Sequence, residues 1–316
     1  MAERVNRLLR PAIAVGTLVF MTVLAAACEP SAARYRWQRD GEPLMREVVR
    51  AGRLGDKELD EASGAVASIT EPGVFWSQND SGNDEYLFAY DSTGHALGRV
   101  LVKGTKNRDW EALATGPCAE GQCITIGDIG DNSARRDALT LHQLVEPPHT
   151  SVSVPVLRSL TLRYADGPHD VEAMYAGADG SLWLVTKRPT RDAAGRFRPV
   201  RVYHVPRSAW EQREFVAAVV DSLPITPVKG AAHDWVTDAS LSPLMPDGRR
   251  LLVLLSYGAV HLFETDPATG KPGAAIARCA LPIRESTAEG VTWLPDGRIL
   301  LVTEGTMGAM YTGRCP

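Results

Sequence analysis

The chain has 316 residues, 44% of them hydrophobic, and a formal net charge of -4. That apolar content excludes a disordered chain, and an acidic balance without a Lys/Arg block excludes a protein that tracks nucleic-acid phosphates. Past the first thirty residues there is no sustained helical stripe or heptad, which excludes helical bundles and coiled coils.

The first residues read as an address. Arg4, Arg7 and Arg10 precede an uncharged run from Ala12 to Ala27, which ends on Ala25, Ala26 and Ala27 just before Cys28. A basic start, a short apolar centre and a small-residue end predict a signal peptide over residues 1–27 rather than a membrane span. L-A-A-A-C resembles the end of a bacterial lipoprotein signal. The resemblance implies that Cys28 becomes a lipidated N-terminus and that the membrane is a partner through that anchor. The expected location is the cell envelope, periplasmic or outer-membrane, and Glu29 supplies no inner-membrane retention signal. An ordinary secretory signal with a chance cysteine is the alternative.

Besides Cys28 there are four cysteines, an even number that suits an oxidising compartment. Cys118 and Cys123 bracket one proposed hairpin loop, A-E-G-Q, and are expected to pair locally, which leaves Cys279 for Cys315. A zinc site is the alternative, but no C-x-x-C spacing or nearby His pair supports it. Residues 28–45 show no strong period and are expected to be a tether. Residues 46–316 form one all-β domain in this reading.

The stretch Arg108–Asn132 sets the pattern of that domain. Two acidic residues open an apolar run, a turn follows, and I-T-I leads back into a second acidic, Gly-rich cluster. The alternation predicts strands with one buried face, and both acidic clusters fall at one edge of the sheet. The pattern returns in D-V-E-A-M from Asp170, T-D-A-S-L from Thr237, A-E-G-V-T-W from Ala288 and, with Ser63 in the acidic place, A-S-G-A-V from Ala62. Copies about every 50 residues predict the blades of a single β-propeller, five in number with six as the alternative. In chain order the predicted strands are 46–54, then 64–68, 74–78, 86–90 and 98–102, then 112–115, 123–127, 139–144 and 157–164. The third copy has 173–175, 182–186, 201–204 and 216–220, and the fourth 239–242, 251–255, 260–264 and 276–280. The last has only 291–294, 299–303 and 309–313. An N-terminal strand, Arg46–Leu54, is therefore expected to close the ring.

Aligned on the small residue that opens each first strand, Ser63-Gly64, Glu111-Ala112, Glu172-Ala173, Asp238-Ala239 and Glu289-Gly290 fall in register. First strands line a propeller's channel, so Glu111, Glu172, Asp238 and Glu289 are expected as an acidic ring and as candidate ligands of a hard cation such as calcium. The competing reading is that each carboxylate accepts backbone N–H groups and pins blade to blade. Asp80, Asp128 and Asp131, with Asn79 and Asn132, end second strands and could extend the site. Lys187 takes the place read for Asp128 and Glu304, as a counter-ion or as part of an anion pocket. His169 and His233 precede first strands as candidate proton carriers or ligands. No G-x-S-x-G elbow or Ser/His/Asp order stands out.

Taken in order, N-D-S-G-N, D-W-E-A-L-A, I-G-D-I-G-D-N, Y-A-D-G-P-H-D-V-E-A-M, L-V-T-K-R and A-E-G-V-T-W resemble a group of exported bacterial propeller proteins, across Ala62 to Glu304. More distantly, the D-x-E-A and A-E-G-V openings are similar to those of esterase-like phytase and SdiA-regulated propellers. That similarity implies a propeller with a calcium-supported mouth and carries over no catalytic residue. The functional expectation is a monomeric, lipid-anchored propeller that binds a cation or a small-molecule or protein ligand at its mouth. The alternative is a calcium-dependent hydrolase of phosphoesterase or lactonase type.

Overall fold

The computed structural model describes residues 41–226, 234–283 and 287–316. The signal segment, Cys28, most of the tether and His233 lie outside the described residues. Short apolar runs separated by Gly-centred turns form strands in the following order. β1 (Arg46–Arg53) precedes the first blade, which has β2 (Val66–Ala67), β3 (Phe75–Gln78), β4 (Tyr86–Tyr90) and β5 (Ala96–Lys103). The second blade has β6 (Trp110–Cys118), β7 (Gly121–Asp128) and β8 (Leu139–Val145), then, after the short β9 (Ser153–Pro155), β10 (Arg158–Tyr164). The third has β11 (Val171–Ala176), β12 (Leu182–Thr186) and β13 (Val200–Val205), then β14 (Glu214–Ala217), which leaves for the second blade, and β15 (Val219–Leu223). The fourth has β16 (Val236–Leu241), β17 (Leu251–Ser256), β18 (Ala259–Thr265) and β19 (Pro272–Ala280), and the fifth β20 (Ala288–Trp293), β21 (Ile299–Thr303) and β22 (Ala309–Arg314).

Five sheets make a five-bladed propeller. The first strands touch in the cycle β2, β6, β11, β16, β20 and back to β2. β1 closes the ring by pairing antiparallel with β22, so the last blade reads β20-β21-β22-β1 from the channel outward. The Cys279–Cys315 disulfide ties β19 of the fourth blade to the residue after β22 of the fifth, and Cys118–Cys123 closes locally in the second blade.

The core lies between blades, which corrects the expectation of one buried face per sheet. Leu252 and Leu254 of β17 pack with Tyr175 and Trp183 of the third blade, while Val253 and Leu255 pack with Val291 and Leu301 of the fifth. A blade stacked on both sides buries both faces, and L-L-V-L-L is consequently apolar throughout. Each fully buried leucine or valine contributes about 1.5–3 kcal/mol, which makes these five interfaces the main source of stability.

Three edges are covered in a way the repeats did not announce. β9 runs parallel to β5, β14 runs parallel to β10, and Leu44 bridges in parallel to Ala280 at the edge of β19. In each case the chain just before a fourth strand reaches back over the preceding blade and satisfies its open edge. The predicted strand 216–220 is therefore two strands that belong to different blades. The hairpin after β6 is also tighter than expected: Cys118 pairs with Gly121, whose φ of 130° favours glycine, so the turn is two residues rather than four.

Candidate metal centre

Each of the last four blades opens its first strand with a β-bulge. In β6, Trp110 pairs with Asp128 and Ala112 with Gly127, so Glu111 is left out of the ladder. In β11 the residue left out is Glu172, between the Val171–Thr186 and Ala173–Val185 pairs, and in β20 it is Glu289. Ser63 follows the Ala62–Asn79 bridge in the first blade and holds the matching place. A bulge bends the strand and re-aims the extra side chain, here toward the channel mouth.

The fourth blade differs by one residue. Val236 pairs with Ser256 and Asp238 with Leu255, so the bulged residue is Thr237, whose hydroxyl donates to the Ala288 carbonyl at 3.0 Å. Asp238 is thus not in register with the three glutamates, contrary to the alignment on small residues. It is fully buried and accepts amide N–H groups from Ala239 at 2.8 Å, Ala65 at 3.0 Å and Val291 at 2.7 Å. One carboxylate so ties the fourth, fifth and first blades together. Burial pushes its carboxyl upward, and the three amides act against that shift.

At the mouth, Asp80, Asp109 and Glu111 each offer an oxygen, and the three oxygens lie within 4.8 Å of one another. The space for them comes from Gly130 in I-G-D-I-G-D-N. A Cβ there would sit 2.6 Å from the Asp109 Cγ and Oδ2 and 2.6 Å from Glu111 Oε1. Backbone bonding explains why a glycine stands at that point. Asp80, Lys187, Tyr257 and Glu304 each donate their N–H to the residue two before the bulge position, and in the second blade Gly130 makes that bond, to Asp109 at 3.2 Å. The preceding Ile129 is an extra residue that turns into the core between the second and third blades.

Like charges at this spacing hold protons. Burial, then the charge of Asp80, raises the Asp109 carboxyl to about 6 against the pull of Arg136. Burial, followed by Glu172, Asp80 and Asp109, raises Glu111 well above the usual carboxylate range, and burial also raises Asp80. Glu289 is pushed by burial up to about 8 despite Lys187. Lys187 ion-pairs with Glu172 Oε1 and lies 5.8 Å from the Tyr257 ring centre and 6.0 Å from that of Trp235. Although burial lowers its ammonium, Glu172 and its other neighbours raise it further, so it stays charged. The other oxygen of Glu172, Oε2, is buried with no hydrogen-bond partner among the described residues. Ser63 Oγ lies 3.0 Å from Glu111 Oε2, and Glu304 Oε2 accepts the Thr287 hydroxyl at 2.8 Å.

Several other candidates make contacts within the scaffold. Asp128 holds the same register position as Thr186, Ser256 and Thr303 in the other blades, so Lys187 matches Glu304 and Tyr257 but not Asp128. Asp128 Oδ1 takes Arg136 Nη2 at 2.6 Å, Asp131 takes the Arg136 backbone N–H at 2.7 Å, and Arg136 Nη1 donates to the Gly130 carbonyl at 2.6 Å. That arginine staples the loop that carries Gly130. Asn79 accepts the Glu61 N–H, and Asn132 accepts Arg188. His169 sits in a separate network, 2.6 Å from Arg201 Nη1 and 3.2 Å from Asp166, against the rings of Tyr164 and Tyr203. Burial lowers its imidazole.

Asp109, Gly130, Trp235 and Tyr257 join the mouth although sequence reasoning did not single them out. For Asp109 a signal existed, because the D-x-E spacing places two acids on one face of a strand. No family model matches the sequence. No curated protein matches it either. Among solved structures, the chain is similar to a glutaminyl cyclase from Myxococcus xanthus at 14% identity and a TM-score of 0.48, over 86% of this chain and 98% of that one. It is similar to the soluble aldose sugar dehydrogenase of Escherichia coli at 11% identity and a TM-score of 0.46, over 84% and 98%. A streptogramin B lyase aligns at 12% identity and a TM-score of 0.40, over 84% and 97%.

Proposed function

We propose that this chain is an exported propeller, anchored by lipid at Cys28, that binds a divalent cation at its acidic mouth and recognises its ligand there. The observation that carries the reading is the convergence of Asp80, Asp109 and Glu111 over Gly130. Calcium takes six to eight oxygen ligands at about 2.3–2.6 Å, so two ligands on opposite sides of the ion stand about 5 Å apart, a span that accommodates these three oxygens. Glu172, with its unpartnered buried oxygen, and Glu289 adjoin the site as further donors. Asp238 is excluded because three amides already occupy its carboxylate. The two disulfides suit an oxidising compartment, and no helix among the described residues is long and apolar enough to cross a membrane.

The test is a melting curve of the purified protein against calcium, magnesium and chelator. Calcium should raise the melting temperature in a saturable way, and Glu111→Gln should remove most of that rise while keeping the side-chain shape. Curves that ignore both ions and chelator, in a correctly folded wild type, would exclude the cation.

Glu289 favours a second reading, that of a hydrolase. With a proton held to about pH 8 beside Lys187 and Tyr257, it can supply that proton to a leaving group. A phosphoester and lactone panel tests this reading. Glu289→Gln should abolish any turnover while much of the calcium-dependent melting shift persists through Asp80, Asp109 and Glu111.

A further inference from the structure

The channel holds a second chamber, at the end away from the acids. Below the bulges the first strands crowd together. A Cβ on Gly290 would lie 2.9 Å from that of Ala65, and Asp238 bonds across to Ala65 and Val291 at the same level. Beneath this septum the far ends of the first strands enclose a cavity of about 580 Å³, within the range of about 300–1,000 Å³ for small-molecule sites. Its wall is mixed, with Ser68, Thr115 and Thr292 beside apolar residues, and Ile69 and Leu244 among the residues that line it are exposed.

One charged residue, Arg250, stands in that wall among the described residues. Its Nη1 donates to the Ser242 carbonyl at 2.9 Å, while its Nε is buried and has no hydrogen-bond partner. No ion pair involves it among the described residues. The residue is only partly buried, and a guanidinium with no counter-charge offers its open N–H groups to a carboxylate. The exposed Ile69 and Leu244 favour a hydrocarbon body on the same molecule, since covering them with methylenes is favourable.

We propose that the lower chamber binds an organic acid with an apolar body, such as a medium-chain carboxylate, with its carboxylate on Arg250 and its chain against Ile69, Leu244 and Trp293. This site is separate from the cation site, because the Asp238 septum lies between them.

The experiment is calorimetric titration of the full chain with decanoate and, as the uncharged control, decanol. Decanoate should bind at one site, at least tenfold more tightly than decanol, since a charge-assisted hydrogen bond is worth about that factor. Arg250→Gln should weaken decanoate by about tenfold and leave decanol unchanged. Thr115→Trp, at a half-buried position in the chamber wall, should remove both ligands while the melting transition remains cooperative. Glu111→Gln should change neither affinity. No binding of decanoate, equal binding of the two ligands, or decanoate binding indifferent to Arg250→Gln or Thr115→Trp would each overturn the proposal.

Discussion

The second and fourth blades begin alike and end up doing opposite things. Both bulge at the start of the first strand, but β6 puts Glu111 in the bulge and β16 puts Thr237 there, with its acid one residue later. In the second blade the carboxylate meets Asp109 and Asp80 at the mouth. In the fourth it turns inward and is fully buried among three amides. A shift of one residue changes the face on which a strand residue appears, so a carboxylate becomes either a candidate ligand or a structural pin.

The largest effect expected from this contrast is at the pin. Asp238→Ala leaves three buried N–H groups without their acceptor, at about 1–3 kcal/mol each, so urea unfolding should show a loss of about 4 kcal/mol or more. A loss below about 1 kcal/mol would remove the pin from the account. Next come the cross-links on the same two blades. Replacing Cys279 and Cys315 by serine opens a loop of 36 residues and should cost about 3–4 kcal/mol, while the Cys118 and Cys123 pair, 5 residues apart, should cost about 2 kcal/mol. Equal costs for the two pairs would show that loop closure is not what separates them.

Gly130→Ala addresses the second blade directly. The added Cβ strikes the carboxyls of Asp109 and Glu111, so the variant should lose about 1–3 kcal/mol and also its calcium-dependent melting shift. Retention of the full shift would break the link between that glycine and the site.

The pH response tests the mouth as a whole. Asp109 near 6 and Glu289 near 8 hold protons in the folded chain that the unfolded chain has already released above about pH 4–5. Where the folded state binds more protons, stability falls as pH rises, so metal-free protein should weaken from about pH 5 to pH 8 as these groups ionise. Calcium should flatten that slope, because it offsets the same charges. Denaturant midpoints at pH 5, 6.5 and 8, with calcium or chelator, measure both.

Much of the architecture was legible in the chain. Recurring D-x-E-A and A-E-G-V openings, Gly-centred turns and a final copy with only three strands lead to five blades and to the closing strand near Arg46. Both cysteine pairings follow from an even count and one short loop. The site was legible only in part: Glu111, Glu172 and Glu289 stand out by repetition, while Asp109 was visible in D-W-E and passed over. Arg136, which staples the loop, and Tyr257, which faces Glu289, carry no local signal, because their roles depend on residues brought near by other blades.

What the sequence determined by itself is what short-range periodicity encodes: strands from alternating or continuous apolar runs, turns from glycine, and the acidic end of each blade. The tertiary structure alone decided which acid enters the ladder and which bulges out of it. Asp238 and Glu289 look equivalent beside their small neighbours, yet backbone pairing with the next strand separates them by one residue. It also decided that Val216 and Val219 belong to different blades, and that a chamber with Arg250 in its wall lies at the far ends of the first strands. These outcomes follow from contacts between residues far apart in the chain, and a local pattern holds no record of them.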